Sequence, residues 1–125
     1  MHIALIQINV KDLAAAWDFY VNILGIPGRW VHGENNPFEL ELGDIPVLVY
    51  PVHGEATQKV AASSAVIVFG THSIDRTYEE WHALGVEFIP VERSVDVSGI
   101  AQSPYGRFVK FRDPFGNVHE LLETR

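Results

Sequence analysis

Phe111-Arg112-Asp113-Pro114-Phe115-Gly116-Asn117-Val118-His119-Glu120-Leu121 stands near the end of the chain and reads as a tight hairpin. Pro114 presets φ, and Gly116 and Asn117 tolerate positive φ. Two strands, near 106–112 and 117–123, can therefore reverse on each other within a few residues. Upstream, a strand is expected near 86–91, followed by a loop at roughly 93–105 that carries Ser94, Ser98, Gly99, Ser103 and Pro104. Before these, Ser73 can cap a helix whose buried face is Ile74, Thr77, Tyr78, Trp81 and Leu84, with Gly85 as its stop. A strand over Ser64–Phe69 precedes that helix.

The same order occurs once more in the first half. Residues 2–10, HIALIQINV, are rich in β-formers and alternate loosely. Asp12 can cap a helix in which Leu13, Ala16, Trp17, Tyr20, Val21 and Leu24 share one face, and Gly25 ends it. Pro27-Gly28 makes a turn. Strands follow near 29–33, 37–42 and 46–51, separated by Asn35-Asn36-Pro37 and Gly43-Asp44. Leu24-Gly25-Ile26 matches Leu84-Gly85-Val86 at an offset of 60 residues. Strand, helix and three strands, twice over, is the pattern of a duplicated βαβββ unit. The fold class is α+β, with module 1 at about 1–52 and module 2 at about 63–125, joined by the polar-to-small stretch 53–62 in a single domain of 125 residues.

Composition narrows the function classes. With 47% apolar residues the chain can fill a real core, and no apolar run approaches the length of a membrane span. Met1-His2-Ile3 reads as the start of a strand and not as a signal peptide. There is no cysteine, which excludes disulfides, thiolate metal sites and cysteine nucleophiles and fits a cytoplasmic protein. A net charge of −7 with nine scattered Lys and Arg residues argues against nucleic acid as a partner. No phosphate-binding glycine loop and no G-x-S-x-G elbow occurs.

Two stretches carry a family resemblance. Val10-Lys11-Asp12-Leu13 with Trp17-Asp18-Phe19-Tyr20 and Leu24-Gly25-Ile26 is one; the hairpin from Phe111 to Leu121 is the other. Together, and spaced over nearly the whole chain, they resemble the vicinal oxygen chelate superfamily of glyoxalases, bleomycin-resistance proteins and extradiol dioxygenases. The resemblance implies that each βαβββ unit curls into half of a cup with ligand inside, and that the protein forms homodimers.

The resemblance also implies where a divalent metal would sit in an enzyme of this family. Its His, Gln or Glu ligands fall on the first and last strand of each module, at Leu5, about Val49, about Ser64 and Glu120. Only Glu120 has good donor atoms for a divalent cation, and neighbouring positions supply no His or carboxylate. Gln7 shares the Leu5 face. His2, His32, His53, His72, His82 and His119 form no H-x-H or H-x-x-x-H pair and read as surface or capping residues. The expectation is therefore no metal cofactor, with a divalent ion at a displaced site left open.

Three functions remain in view. The first is a small-molecule binding module whose pocket is lined by Leu5, Gln7, Val47, Val49, Ser64, Val66 and Glu120, with Trp30, Phe38, Tyr50 and Tyr105 as stacking surfaces near the rim. Arg107 or Lys110 would pair with Glu120. The second is a lyase, isomerase or dioxygenase that uses a displaced metal, or Glu120 as catalytic base. The third is a vestigial module acting through its dimer surface.

Overall fold

The computed structural model describes residues 3–31, 37–51, 66–91 and 98–124. The chain divides into two compact units, Met1–Val60 and Ala61–Arg125. His2, His32, Asn35, Asn36, His53, the connector 53–62, Ser64 and Ser94 lie outside the described residues.

The first unit runs β1 (Ile6–Val10), α1 (Leu13–Trp17), β2 (Gly28–Trp30), β3 (Phe38–Leu40) and β4 (Val47–Pro51). Asp12 is extended and its carboxylate accepts the Ala15 N–H at 3.0 Å, which starts the helix. Beyond Trp17 the helix widens into a π-helical segment, Asp18–Ile23, in which Phe19 and Tyr20 are buried. Gly25, at φ +75°, ends it in the left-handed region. The strand order is β1-β4-β3-β2, with β1 parallel to β4 and the other pairs antiparallel. Alternation puts Ile8, Val10, Phe38, Leu40, Val47 and Val49 on the buried side, with Leu13, Ala16 and Tyr20 of the helical segment also buried.

Gly28 shows how tightly β2 meets the helix. A Cβ there would lie 2.6 Å from Val21 Cγ2 and 3.0 Å from Trp17 Cζ3. Trp17 in turn stacks on Trp30 with ring centroids 4.8 Å apart. Gly28→Ala is expected to lower unfolding free energy by about 1–3 kcal/mol, because the indole stack must shift to admit a methyl group. Urea unfolding measures this; an unchanged midpoint would mean that the helix yields freely.

The second unit repeats the plan with β5 (Val68–Thr71), α2 (Ile74–Ala83), β6 (Glu87–Ile89), β7 (Ala101–Ser103), β8 (Gly106–Arg112) and β9 (Val118–Glu123). Its order is β5-β9-β8-β6, β5 and β9 are parallel, and β7 pairs with β8 beside Phe108–Gly106. Ser73 caps α2 by accepting the Arg76 N–H, and Gly85 sits at φ +90°, the counterpart of Gly25. Phe69, Ile74, Trp81, Val109, Phe111, His119 and Leu121 form the core.

Two expectations need correction. The 93–105 loop contains a strand, β7, because Ala101 and Ser103 pair with Phe108 and Gly106 across a tight turn. Leu84 is 56% exposed and is not on the buried helix face. The helix stops one residue earlier, and Val86 takes the buried position, its N–H donating to the Trp81 carbonyl.

Among the described residues, no helix is long and apolar enough to cross a membrane.

Candidate functional site

Among the described residues of each unit, alternate strand positions are buried and more exposed, which gives the sheet one core face and one more open face. In the second unit the open face is read from strand register. Val68 lies opposite Glu120, Lys110 opposite Glu120 on the other side, Phe108 opposite Leu122, and Arg112 opposite Val118. Glu120 is half-buried, Val68 is exposed, and Phe108, Val118 and Leu122 are partly exposed. Among the described residues no hydrogen bond or ion pair engages the Glu120 carboxylate. Its backbone N–H donates to Ile67 O at 2.9 Å, which fixes the strand. Glu120 thus stands between Val68 and Lys110 on a face that is otherwise partly apolar, with Arg112 paired to Glu87 at 2.9 Å at one edge.

In the first unit the corresponding face carries Gln7 beside Leu48 and Asn9 beside Tyr50. The Gln7 Nε2 donates to Asn9 Oδ1 at 2.7 Å. Glu39, next to Leu48, pairs with Arg29 at 2.6 Å. Leu5 precedes β1 on the same side by alternation and is exposed. Gln7, Tyr50, Leu5 and Glu120 thus stand on open faces.

Four other candidates, Val49, Val47, Trp30 and Arg107, do not. Val49 is fully buried opposite Ile8 and Phe38. The residues that share the Gln7 face are its neighbours Leu48 and Tyr50, since a placement wrong by one on a strand reverses the face. Val47 is buried on the same side as Val49. Trp30 pairs with Phe38 and stacks on Trp17, so it belongs to the helix side. Arg107 is on the α2 side of its sheet, where it makes a two-pronged ion pair with Asp75 at 2.8 and 2.9 Å and lies 4.0 Å from Glu123. It cannot reach across the sheet to Glu120; Lys110 holds the position opposite that acid. The Arg107 guanidinium holds the Asp75 carboxyl below its ordinary pKa, chiefly through those hydrogen bonds.

The hairpin between β8 and β9 is built around Asp113. Its Oδ1 accepts the backbone N–H groups of Phe115 at 2.9 Å and Asn117 at 2.8 Å, and its Oδ2 accepts Asn117 Nδ2 at 2.7 Å. Gly116 adopts φ +90°. This network sets the register of β8 against β9 and thereby places Glu120 on the open face.

His119 is the residue sequence reasoning misplaced. It is only 3% exposed, with its ring between Phe69 and Phe111 at centroid distances of 5.4 and 5.5 Å. Burial pushes its pKa down to about 4, against the opposing pull of the Asp113 carboxylate. The signal was present: positions 119 and 121 alternate with 120, so a histidine facing away from Glu120 faces the core. His72 and His82 are exposed, and His82 stacks on Tyr78.

Among the described residues no divalent-metal ligand set is assembled. On the open faces stand the amides of Gln7 and Asn9, the Tyr50 phenol and the Glu120 carboxylate, while Glu39 and Glu87 are paired with arginines. Among the described residues no imidazole joins them, and no group of three or more His, Cys, Asp or Glu side chains could hold a metal ion.

Comparison with known proteins agrees with this architecture. The family model for the Glyoxalase/Bleomycin resistance protein/Dioxygenase superfamily matches residues 2–121. The uncharacterized protein YraH of Bacillus subtilis is 26% identical, the match covering 98% of each chain. Among solved structures, the antibiotic binding protein TnmS3 from Streptomyces superposes with a TM-score of 0.72 at 20% identity, covering 100% of this chain and 97% of that one. The genomically encoded fosfomycin resistance protein of Listeria monocytogenes gives 0.70 at 22%, covering 100% and 94%. The bleomycin-binding protein of Streptomyces verticillus, complexed with copper(II)-bleomycin, gives 0.66 at 22%, covering 100% and 98%.

Proposed function

The chain belongs to the Glyoxalase/Bleomycin resistance protein/Dioxygenase superfamily, and on that premise we propose that it binds a small organic molecule on the open face of its second unit's sheet without a metal ion. The observation that carries this reading is the second unit's open face. A carboxylate with no hydrogen bond or ion pair among the described residues stands opposite Val68 and Lys110, with Phe108 and Leu122 on the same face. A partly apolar surface with few fixed polar groups is what orients a small ligand. Gln7 and Tyr50 give the first unit's face the same character. The antibiotic-binding proteins of like fold support a ligand of that size. Glu120 accepts a hydrogen bond or balances a positive charge on the ligand. With a net charge of −7 the chain favours cationic and neutral molecules over anions.

The test is a thermal-shift and calorimetric screen of antibiotics, bleomycin and fosfomycin included, on protein treated with EDTA. Binding is expected to survive chelation. Glu120→Ala is expected to weaken it by roughly tenfold, the value of a charge-assisted hydrogen bond. Ligands that raise the melting temperature only after Mn, Fe, Ni or Zn is restored would overturn the metal-free reading, and a panel without any shift would remove the binding reading itself. If Glu120 is instead a general base, the bound ligand is consumed, which mass spectrometry of the recovered ligand detects.

A further inference from the structure

On the α2 side of the second unit, opposite the Glu120 face, the β7–β8 hairpin ends in Pro104-Tyr105. The Tyr105 side chain stands 85% exposed. Between this turn and the end of β9 lies a cleft of about 390 Å³ with Gln102, Tyr105, Gly106, Arg107, Glu123 and Thr124 among its walls. Gly106 closes one side. It sits at φ +141°, and a Cβ there would come 2.5 Å from the Glu123 carbonyl oxygen, so the turn rests directly against β9.

The cleft offers acceptors beside one guanidinium. Arg107 in its wall is turned to Asp75, outside the cleft, at 2.8 Å and lies 4.0 Å from Glu123. Glu123 uses Oε2 for the Ile74 N–H at 2.9 Å, and its Oε1 carries no bond among the described residues. A carboxylate offers about four lone-pair sites, so capacity remains. Gln102 donates through Nε2 to the Ser103 carbonyl at 3.0 Å, which leaves its Oε1 as an acceptor. An exposed phenol ring completes the wall.

We propose that this cleft is a site for a planar cation carrying a fork of N–H groups, a guanidinium or amidinium. The flat cation lies on the Tyr105 ring, and its N–H groups donate to Glu123 Oε1 and Gln102 Oε1. Both interactions need a delocalised, weakly hydrated cation; an ammonium would satisfy the charge but not the stacking. The site is independent of the ligand face proposed above.

Titration of the ¹⁵N-labelled protein with benzamidine, and with neutral benzamide as its matched control, tests the assignment. Benzamidine is expected to give saturable millimolar shifts at Gln102, Tyr105 and Thr124, with benzamide weaker by roughly fivefold or more. Tyr105→Ala is expected to leave the melting temperature unchanged, because the ring is exposed, and to weaken benzamidine by roughly fivefold. Glu123→Gln is expected to weaken it as well, with the amide spectrum reporting whether α2 stays docked. Equal affinity for benzamidine and benzamide, or an unaltered titration in Tyr105→Ala, overturns the proposal. Ethylguanidine and N-acetyl-arginine amide separate the sources of the same cation. Tighter binding of the second marks an arginine side chain in a peptide, equal binding a free guanidino compound, and failure of both overturns the site.

Discussion

Asp113→Ala is expected to cost about 3 kcal/mol of unfolding free energy and roughly 10 °C in melting temperature. Asp113 is 3% exposed, and its carboxylate accepts hydrogen bonds from two backbone N–H groups inside the turn and from the Asn117 side-chain amide. Hydrogen bonds to a charged acceptor contribute more than neutral ones, and their loss leaves donors in a loop too tight to turn them toward water. The three bonds share one acceptor, so their individual values do not add. Asp113→Asn separates charge from geometry. Its amide oxygen can still take the two backbone donors, but its amide nitrogen then faces the Asn117 amide nitrogen. The double exchange Asp113→Asn with Asn117→Asp restores a donor opposite an acceptor. Chemical denaturation should therefore rank Asp113→Ala as least stable, Asp113→Asn between, and the double exchange closer to the parent. If Asp113→Ala and Asp113→Asn are equally mild, the turn is held by Pro114 and Gly116 and not by the carboxylate.

That hairpin also shows what the sequence reveals and what it hides. Turn chemistry is local, so Asp113 to Asn117 could be read from residue types alone, as could the caps at Asp12 and Ser73 and the helix stops at Gly25 and Gly85. The duplicated order of elements followed from these signals plus helical periodicity. Faces within a sheet were harder, because they depend on register, which is set by distant strands. Val49 was grouped with Gln7, whereas the parallel pairing of β1 with β4 puts Leu48 and Tyr50 beside Gln7 and Asn9. Arg107 was a candidate partner for Glu120 because it precedes it on a neighbouring strand, but β8 turns it toward Asp75. β7 carries no strand signal of its own, because Ala-Gln-Ser has little β-propensity; its strand form comes from pairing with β8, a tertiary effect. Of the candidate site, Glu120 and Gln7 were legible from alternation alone, and the ion pair that occupies Arg107 was not.

Lowering the pH from 7 to 4.5 is expected to destabilise the protein by about 2 kcal/mol through His119 alone. Its ordinary pKa is 6.5, and in the folded chain it falls to about 4 because the ring is buried between Phe69 and Phe111. Between those two values the unfolded chain takes up a proton that the fold refuses, so stability declines as pH drops through 6.5 and levels off below about 4. The nearby Asp113 carboxylate acts in the opposite sense and limits the shift. His119→Phe isolates the effect, since a phenyl ring suits an aromatic slot and has nothing to protonate. The readout is the change in unfolding free energy between pH 7 and pH 4.5, not the absolute stability of either protein. Other acids titrate in both chains and cancel. The parent should lose about 2 kcal/mol more than His119→Phe over that interval. Equal losses would show that His119 charges without penalty, which a side chain shut between two phenyl rings cannot do while β9 keeps its place. Because His119 and Glu120 are adjacent on that strand, acid that loosens the core side also loosens the open face, and ligand affinity should fall over the same pH interval in the parent but less in His119→Phe.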